Sequence, residues 1–198
     1  MPSSSLLLAL GDSLIGGYGL AQGDSFPAQL EAALQASRPG TRVLNEGVSG
    51  ANTGDVLRRL TSVLSRLSAR PGLAIVQVGP NDVLRRVPPT ETRSNLGAII
   101  VELQRCGVPT LLTTVEPPAF LREQTLAYAE LHREVAVECG VPTVPFFPSG
   151  ILGRSDMVLW DRVHPNAQAI AAVVEAMVPM VASLLAKDHA GKPAALAS

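Results

Sequence analysis

A chain of 198 residues is the size of one domain, and by surface-to-volume scaling it buries roughly 70% of its unfolded surface without disulfide or metal staples. Hydrophobic residues make up 46% and charged residues 17%, with a mean hydropathy of +0.25, which excludes intrinsic disorder for most of the length. Lys and Arg number 16 against 17 Asp and Glu, and a net charge of -1 argues against nucleic acid or another polyanionic partner.

The opening Met1-Pro2-Ser3-Ser4-Ser5 carries no Lys or Arg ahead of its apolar run, and Leu6–Leu10 falls short of the ~7 to 15 residues of a signal-peptide core. The expected location is the cytoplasm, or the periplasm or exterior where a leader precedes these residues. Ser5–Leu10 is also the first of five apolar runs that read as buried strands. Phe26, Leu30, Ala33 and Leu34 follow at helical spacing, with Ser25 as cap candidate and Pro27 as an early proline. Arg42–Val48 is the next strand, and Val56, Leu57, Leu60, Val63, Leu64 and Leu67 make a second apolar stripe. Pro71-Gly72 turns into strand Leu73–Val78, Asn95–Leu103 is helical, and Cys106-Gly107-Val108-Pro109 turns into strand Thr110–Val115. Helical Leu126–Cys139 leads to strand Thr143–Phe147. The last stripe is Ile170, Val173, Val174, Met177, Val181 and Leu184. Around it, Asn166–Ala186 has about the ~20 residues of a membrane span, but Glu175 and Pro179 interrupt it, so a buried helix and no integral membrane association are expected. Residues 1–186 are expected to form a single domain, and Lys187–Ser198 a flexible tail. Cys106 and Cys139 make neither a C-x-x-C pair nor a metal knuckle and read as free thiols.

Alternation of this kind predicts an α/β fold, a mostly parallel sheet with helices on both faces joined by right-handed crossovers. In such a sheet ligands bind outside the carboxyl ends of the strands. Those ends are polar or Gly-rich here: Gly11-Asp12-Ser13, Gly47-Val48-Ser49-Gly50, Gly79-Pro80-Asn81-Asp82 and Glu116-Pro117-Pro118.

Several familiar motifs fail on their chemistry. Gly11-x-x-x-x-Gly16 imitates a phosphate loop, but Gly17 and Tyr18 stand where Lys and Ser/Thr must reach phosphate and magnesium. Gly17-x-Gly19 followed by Gly23 is one residue too long for a dinucleotide fingerprint. A Gly-x-Ser-x-Gly elbow needs glycine at position 15, which is Ile15. His132, His164 and His189 lie far apart with no His-x-x-x-His or Cys/His cluster, so no metal site is expected.

One constellation survives. Ser13 follows the first strand in a turn whose neighbours Gly11, Gly16 and Gly17 permit close approach of a substrate, although serine there also serves as a helix cap. Asp161 and His164 lie three residues apart just before the last helix. Asp161 can accept from one ring nitrogen and leave the other to take the Ser13 proton; the alternative is a loop carboxylate and a satisfied surface histidine. Donors for a developing oxyanion are the Ser13 amide, the Gly50 amide and the Asn81 side chain, with Gly50 as a turn glycine and Asn81 as a cap the ordinary readings. Their shared position at successive strand ends is what favours chemistry.

These residues resemble the SGNH hydrolases, the GDSL esterase/lipase family, and most closely its small bacterial thioesterase/lysophospholipase-like and arylesterase-like branch. The resemblance covers nearly the whole chain: Gly11-Asp12-Ser13-Leu14 extended by Gly17-Tyr18-Gly19-Leu20, Asn45-Glu46-Gly47-Val48-Ser49-Gly50, Gly79-Pro80-Asn81-Asp82, and Asp161-Arg162-Val163-His164-Pro165-Asn166. It implies a three-layer α/β/α sandwich with a five-stranded parallel sheet in flavodoxin-like order. It also implies Ser13 as nucleophile, His164 as general base held by Asp161, and Gly50 and Asn81 beside the Ser13 amide as oxyanion hole, Gly50 rather than Gly47 because the hole glycine ends its motif. Pro80 departs from the glycine usual in this branch and is expected to stiffen or shift the hole; Ala51 stands where a polar residue is common.

The expected activity is a serine esterase acting on carboxylic esters, and on thioesters as a further class, through an acyl-enzyme, favoured at neutral to alkaline pH and needing no cofactor. Ile15, Leu84, Phe120 and Leu121 are candidates to line an acyl groove. Aromatics at 4% give little support to a sugar-stacking platform, so small acyl esters outrank carbohydrate or lipid O-acetyl groups, the alternative on the same site. A non-catalytic flavodoxin-like nucleotide-binding module ranks lower, because Asp12-Ser13-Leu14-Ile15 offers one hydroxyl beside a carboxylate that repels phosphate. Oligomeric state is not legible in the sequence.

Overall fold

The computed structural model describes residues 5–114, 125–128, 130–151 and 153–190. Five parallel strands form one sheet: β1 (Leu6–Gly11), β2 (Arg42–Gly47), β3 (Leu73–Gln77), β4 (Thr110–Thr114) and β5 (Thr143–Pro145), in the order β2-β1-β3-β4-β5. The register pairs Leu8 with Leu44 and with Ala74, Ile75 with Leu111, and Thr113 with Val144.

Strand alternation divides the core in two. Leu8, Leu10, Ala74, Val76 and Leu112 face one side, where α3 (Thr53–Ser65), α5 (Pro89–Arg105) and α6 (Leu131–Cys139) bury Val56, Leu60, Leu96, Ile99, Leu103 and Val135 against them. Leu7, Ala9, Leu73, Ile75 and Leu111 face the other, covered by α2 (Phe26–Gln35) and α7 (Ala167–Ala190) through Phe26, Leu30, Leu34, Ile170, Val173, Met177 and Val181. Both faces being covered explains why the central strands β1 and β3 read as continuous apolar runs rather than alternating ones. The result is the expected three-layer α/β/α sandwich.

Helix α7 is long and apolar enough, by length and composition, to cross a membrane, yet its stripe from Ala169 to Leu185 is buried in the protein. It also runs to Ala190, past the expected domain limit at 186, and Asp188 there makes a two-armed ion pair with Arg70 at 2.9 and 3.0 Å. Residues 191–198 lie outside the described residues. Helix α2 starts where expected, with Pro27 in its first turn, but the Ser25 hydroxyl donates to Gln22 O at 3.0 Å instead of capping it. Cys106 and Cys139 are free thiols.

The strand order reverses direction at β1, whose two neighbours continue the chain to opposite sides. A crevice therefore opens at the carboxyl ends of β1 and β3, where helices on the two faces diverge. Two single-turn helices lie there: α1 (Ser13–Gly16) directly after β1, and α4 (Pro80–Leu84) directly after β3.

Candidate active site

Gly11 ends β1 with no room for a side chain, since a Cβ would lie 2.1 Å from Gln77 O on the paired strand. Asp12 then caps α1, its Oδ1 accepting from the Leu14 N–H at 2.9 Å. Ser13 is the first residue of α1. The turn closes through Gly17, in the left-handed region at φ 77°, whose N–H donates to Ser13 O. The end of β2 supports this turn: a Cβ on Gly47 would sit 2.1 Å from the Gly16 nitrogen, so Gly47 is a packing glycine and the cleft-lining role falls to Gly50.

Asp12 is 1% exposed, and its Oδ2 has no hydrogen-bond partner. Burial pushes this carboxyl up to about 7 against the pull of the Leu14 N–H, and the Asp82 carboxylate adds to the rise. The folded state thus holds the Asp12 proton more tightly than the unfolded chain, whose carboxyl titrates near 4. The resulting stabilisation is complete below about pH 4 and lost as pH rises through about 7, on the order of 4 kcal/mol in all. Asn at this position keeps the cap acceptor and cannot ionise. Urea unfolding between pH 4 and pH 8 is therefore expected to show a declining wild-type stability and a flatter profile for Asp12→Asn, which stands above wild type at the alkaline end.

At the other wall, the loop before α7 is folded on itself by Leu159 N–H to His164 O at 2.8 Å, Asn166 N–H to Met157 O at 3.0 Å and a Val158–Pro165 bridge. Arg162 takes the left-handed conformation at φ 59°, which lets Asp161 Oδ1 accept from both the Val163 and His164 N–H groups at 3.0 Å. Its other oxygen accepts from His164 Nδ1 at 2.7 Å, and His164 Nε2 stands 3.0 Å from Ser13 Oγ. The Val163 N–H, then the His164 ring and N–H, hold the Asp161 carboxyl down at about 2. The three residues sit in one hydrogen-bonded line across 151 positions of sequence.

The second and third strand ends are tied together beside this line. Gly50, at φ 78°, lines the cleft; its carbonyl accepts from Arg85 Nη2 at 2.6 Å, and Arg85 Nη1 reaches Asp55 Oδ2 at 3.2 Å. The Gly50 N–H donates to no group among the described residues. Asn81 sends one side-chain N–H to Ala51 O at 3.0 Å, leaving its second for a ligand. Buried Asp82 anchors both turns, accepting from Thr53 N–H at 2.9 Å, Thr53 Oγ1 at 2.5 Å and Thr92 Oγ1 at 3.2 Å. Pro80 occupies the first position of α4, where a missing N–H leaves nothing unpaired, so it starts the turn that presents Asn81. Beneath it, His132 Nε2 donates to Val78 O at 2.7 Å, and its ring occupies the space a Cβ on Gly79 would need. Burial lowers the His132 pKa, so this imidazole is held neutral.

Ser13, Gly50, Asn81 and His164 line one cleft of about 1480 Å³. Leu84, 71% exposed, is at its edge as expected, but Ile15 is not: it is 0% exposed and packs into the α2 and α7 core, because the α1 turn points it inward beneath Gly11. Phe120 and Leu121 lie outside the described residues. The apolar lining instead includes Tyr18, Val83, Tyr128, Phe147, Trp160 and Val163. Trp160, the chain's single tryptophan, is 84% exposed immediately before Asp161, a placement that was a sequence signal for a ligand-facing rim.

The GDSL-like lipase/acylhydrolase family model matches residues 9–172. The chain belongs to the GDSL-like lipase/acylhydrolase family. It is a carboxylic ester hydrolase of the SGNH type, which sets aside the nucleotide-binding alternative. Similar GDSL relatives include an arylesterase of Vibrio mimicus, 29% identical over 174 residues that span 87% of this chain and 86% of the relative. Thioesterase 1/protease 1/lysophospholipase L1 of Escherichia coli K12 is 29% identical over 187 residues, 94% of this chain and 88% of that one. Among solved structures, the SGNH-hydrolase family esterase AlinE4 superposes with a TM-score of 0.76 at 39% identity, covering 92% of this chain and 97% of its own. In this GDSL hydrolase, then, Ser13, Gly50, Asn81 and His164, read from the sequence, gather at one rim of an SGNH fold.

Proposed function

We propose that the enzyme hydrolyses small acyl esters, and thioesters as a further class, with Ser13 as nucleophile, His164 as general base and Asp161 as its orienting carboxylate. The observation that carries this reading is the hydrogen-bonded line from Asp161 Oδ2 through His164 to Ser13 Oγ, at 2.7 and 3.0 Å. Ser13 Oγ attacks the carbonyl carbon as His164 Nε2 takes its proton. The oxyanion is met by the Ser13 and Gly50 N–H groups and the free Asn81 amide hydrogen. His164 then protonates the departing alcohol or thiol, and water repeats the cycle on the acyl-enzyme to release the acid. The predominance of apolar side chains in the cleft supports an acyl chain as the moiety it holds, and thioesters enter because a thioesterase is among the relatives.

A series of p-nitrophenyl esters from acetate to laurate, assayed with wild type and Ser13→Ala, tests this. Wild-type turnover that extends to medium chains and a loss of at least about 10⁴-fold in kcat for the variant are expected. Undiminished turnover by Ser13→Ala rejects the mechanism, and a wild type confined to acetyl groups favours the O-deacetylase reading instead.

A further inference from the structure

We propose that Tyr18 is a positioning residue for His164, its ring bracing one face of the imidazole and favouring the imidazolium that forms as Ser13 attacks. This rests on His164 being the base of the reaction. The two ring centroids are 4.4 Å apart with planes inclined by 37°. Asp161 and Ser13 engage only the edges of the imidazole, at Nδ1 and Nε2, so they fix its two ends but leave it free to tilt about the line joining them. A contact on the face supplies the missing restraint.

The placement of Tyr18 follows from the backbone rather than from core packing, since the side chain is 44% exposed. Its N–H donates to Ser13 O at 3.2 Å, the same carbonyl that takes the Gly17 N–H, so the residue bracing the base is fastened to the nucleophile. Gly19, at φ 72°, continues the turn under Leu159, whose Cδ1 would lie 2.6 Å from a Cβ there. Leu159 in turn donates its N–H to His164 O at 2.8 Å. Tyr18 is thereby held between the loop of the nucleophile and the loop of the base, with the Leu159 side chain resting on Gly19.

The contact acts on the reaction and not merely on the resting geometry. An aromatic face carries negative charge density and attracts a cation more than a neutral ring. His164 gains its charge as the tetrahedral intermediate forms, so the attraction is larger in the transition state than in the ground state, and this difference appears in kcat. The Tyr18 hydroxyl makes no hydrogen bond among the described residues, so the ring alone is required.

The test compares Tyr18→Leu, Tyr18→Phe and Tyr18→Trp in steady-state ester hydrolysis, with the ring protons of His164 followed by NMR. Tyr18→Leu is expected to lower kcat by about fivefold with KM changed less than about twofold, while the two aromatic variants stay within about twofold of wild type. The His164 ring protons lose their upfield ring-current shift in Tyr18→Leu and keep it in Tyr18→Phe. Wild-type kcat in Tyr18→Leu overturns the proposal, and so does equal impairment of Tyr18→Phe, which would place the effect in the hydroxyl. A change confined to KM also overturns it, by making Tyr18 a wall for substrate. Ser13→Ala run alongside separates the failures: activity in that variant sinks the triad reading itself, whereas its loss together with wild-type kcat in Tyr18→Leu sinks only the role of Tyr18.

Discussion

Replacing His164 with alanine is expected to lower kcat by on the order of 10⁴ to 10⁶, and the double variant with Ser13→Ala to fall no further than the weaker single variant. The non-additivity is the informative part. Among the described residues the base bonded to Ser13 Oγ is His164 Nε2 at 3.0 Å, and His132, the other described imidazole at the cleft, is bonded to Val78 O and kept neutral by burial. On the proposed mechanism, the hydroxyl keeps its proton without His164, and the Gly50 and Asn81 donors are left with a carbonyl that nothing attacks efficiently. Steady-state hydrolysis of p-nitrophenyl butyrate by the two single variants and the double variant measures this. Effects that multiply would mean the two side chains act independently, contrary to the proposed mechanism.

Asp161→Asn is expected to lower kcat by about 10⁴ while leaving the fold intact. Asp161 uses one oxygen for two backbone N–H groups and the other for the imidazole. An amide has a single oxygen: kept on the backbone N–H groups it turns its NH2 toward Nδ1, which inverts the tautomer, and turned toward Nδ1 it sets its NH2 against the backbone donors and is a neutral oxygen that stabilises the imidazolium poorly. The substitution also reads out the acid behaviour of the loop. Because the folded carboxyl is held down at about 2, its contribution to stability is present above the ordinary carboxylate range and is lost as pH falls through about 2. Wild type and Asp161→Asn should therefore converge in thermal stability at the acid end and separate, with wild type higher, near neutrality. A variant with full activity at pH 8 would contradict the orienting role.

Much of the architecture was legible because burial writes itself into composition. The runs Leu6–Leu10 and Leu73–Val76 are apolar throughout since their strands are covered on both faces, and the α3 and α7 stripes keep their period. What escaped has physical reasons. Helices α1 and α4 are single turns, too short to display a 3.6-residue period, and so the inward aim of Ile15 was invisible from its place beside Ser13. The first turn of α5 is Pro89-Thr90-Glu91, polar and therefore silent in a hydrophobic pattern that begins at Leu96. Segment 126–139 reads as one helix but divides into a 3₁₀ turn at Leu126–Tyr128 and α6 from Leu131.

The site shows the same division. Ser13, Gly50 and Asn81 could be placed at one edge from the sequence because a parallel sheet directs strand ends there, a rule that needs no distances. Asp161 and His164 were found as a pair because three residues of loop suffice to join them. Tyr18, the Asp82 anchor and the buried state of Asp12 depend on which turn packs on which, through contacts such as Gly47 on Gly16 and Leu159 over Gly19. No local pattern encodes such contacts.

The proposed mechanism requires Ser13 to become the covalent carrier of the acyl group, and an alkyl fluorophosphonate reports that directly. Labelling mapped by peptide mass spectrometry should place one adduct on Ser13, abolish ester hydrolysis in step with its formation, and slow by orders of magnitude in His164→Ala. An adduct on any other residue as activity disappears, or full turnover by protein carrying the label on Ser13, would contradict it.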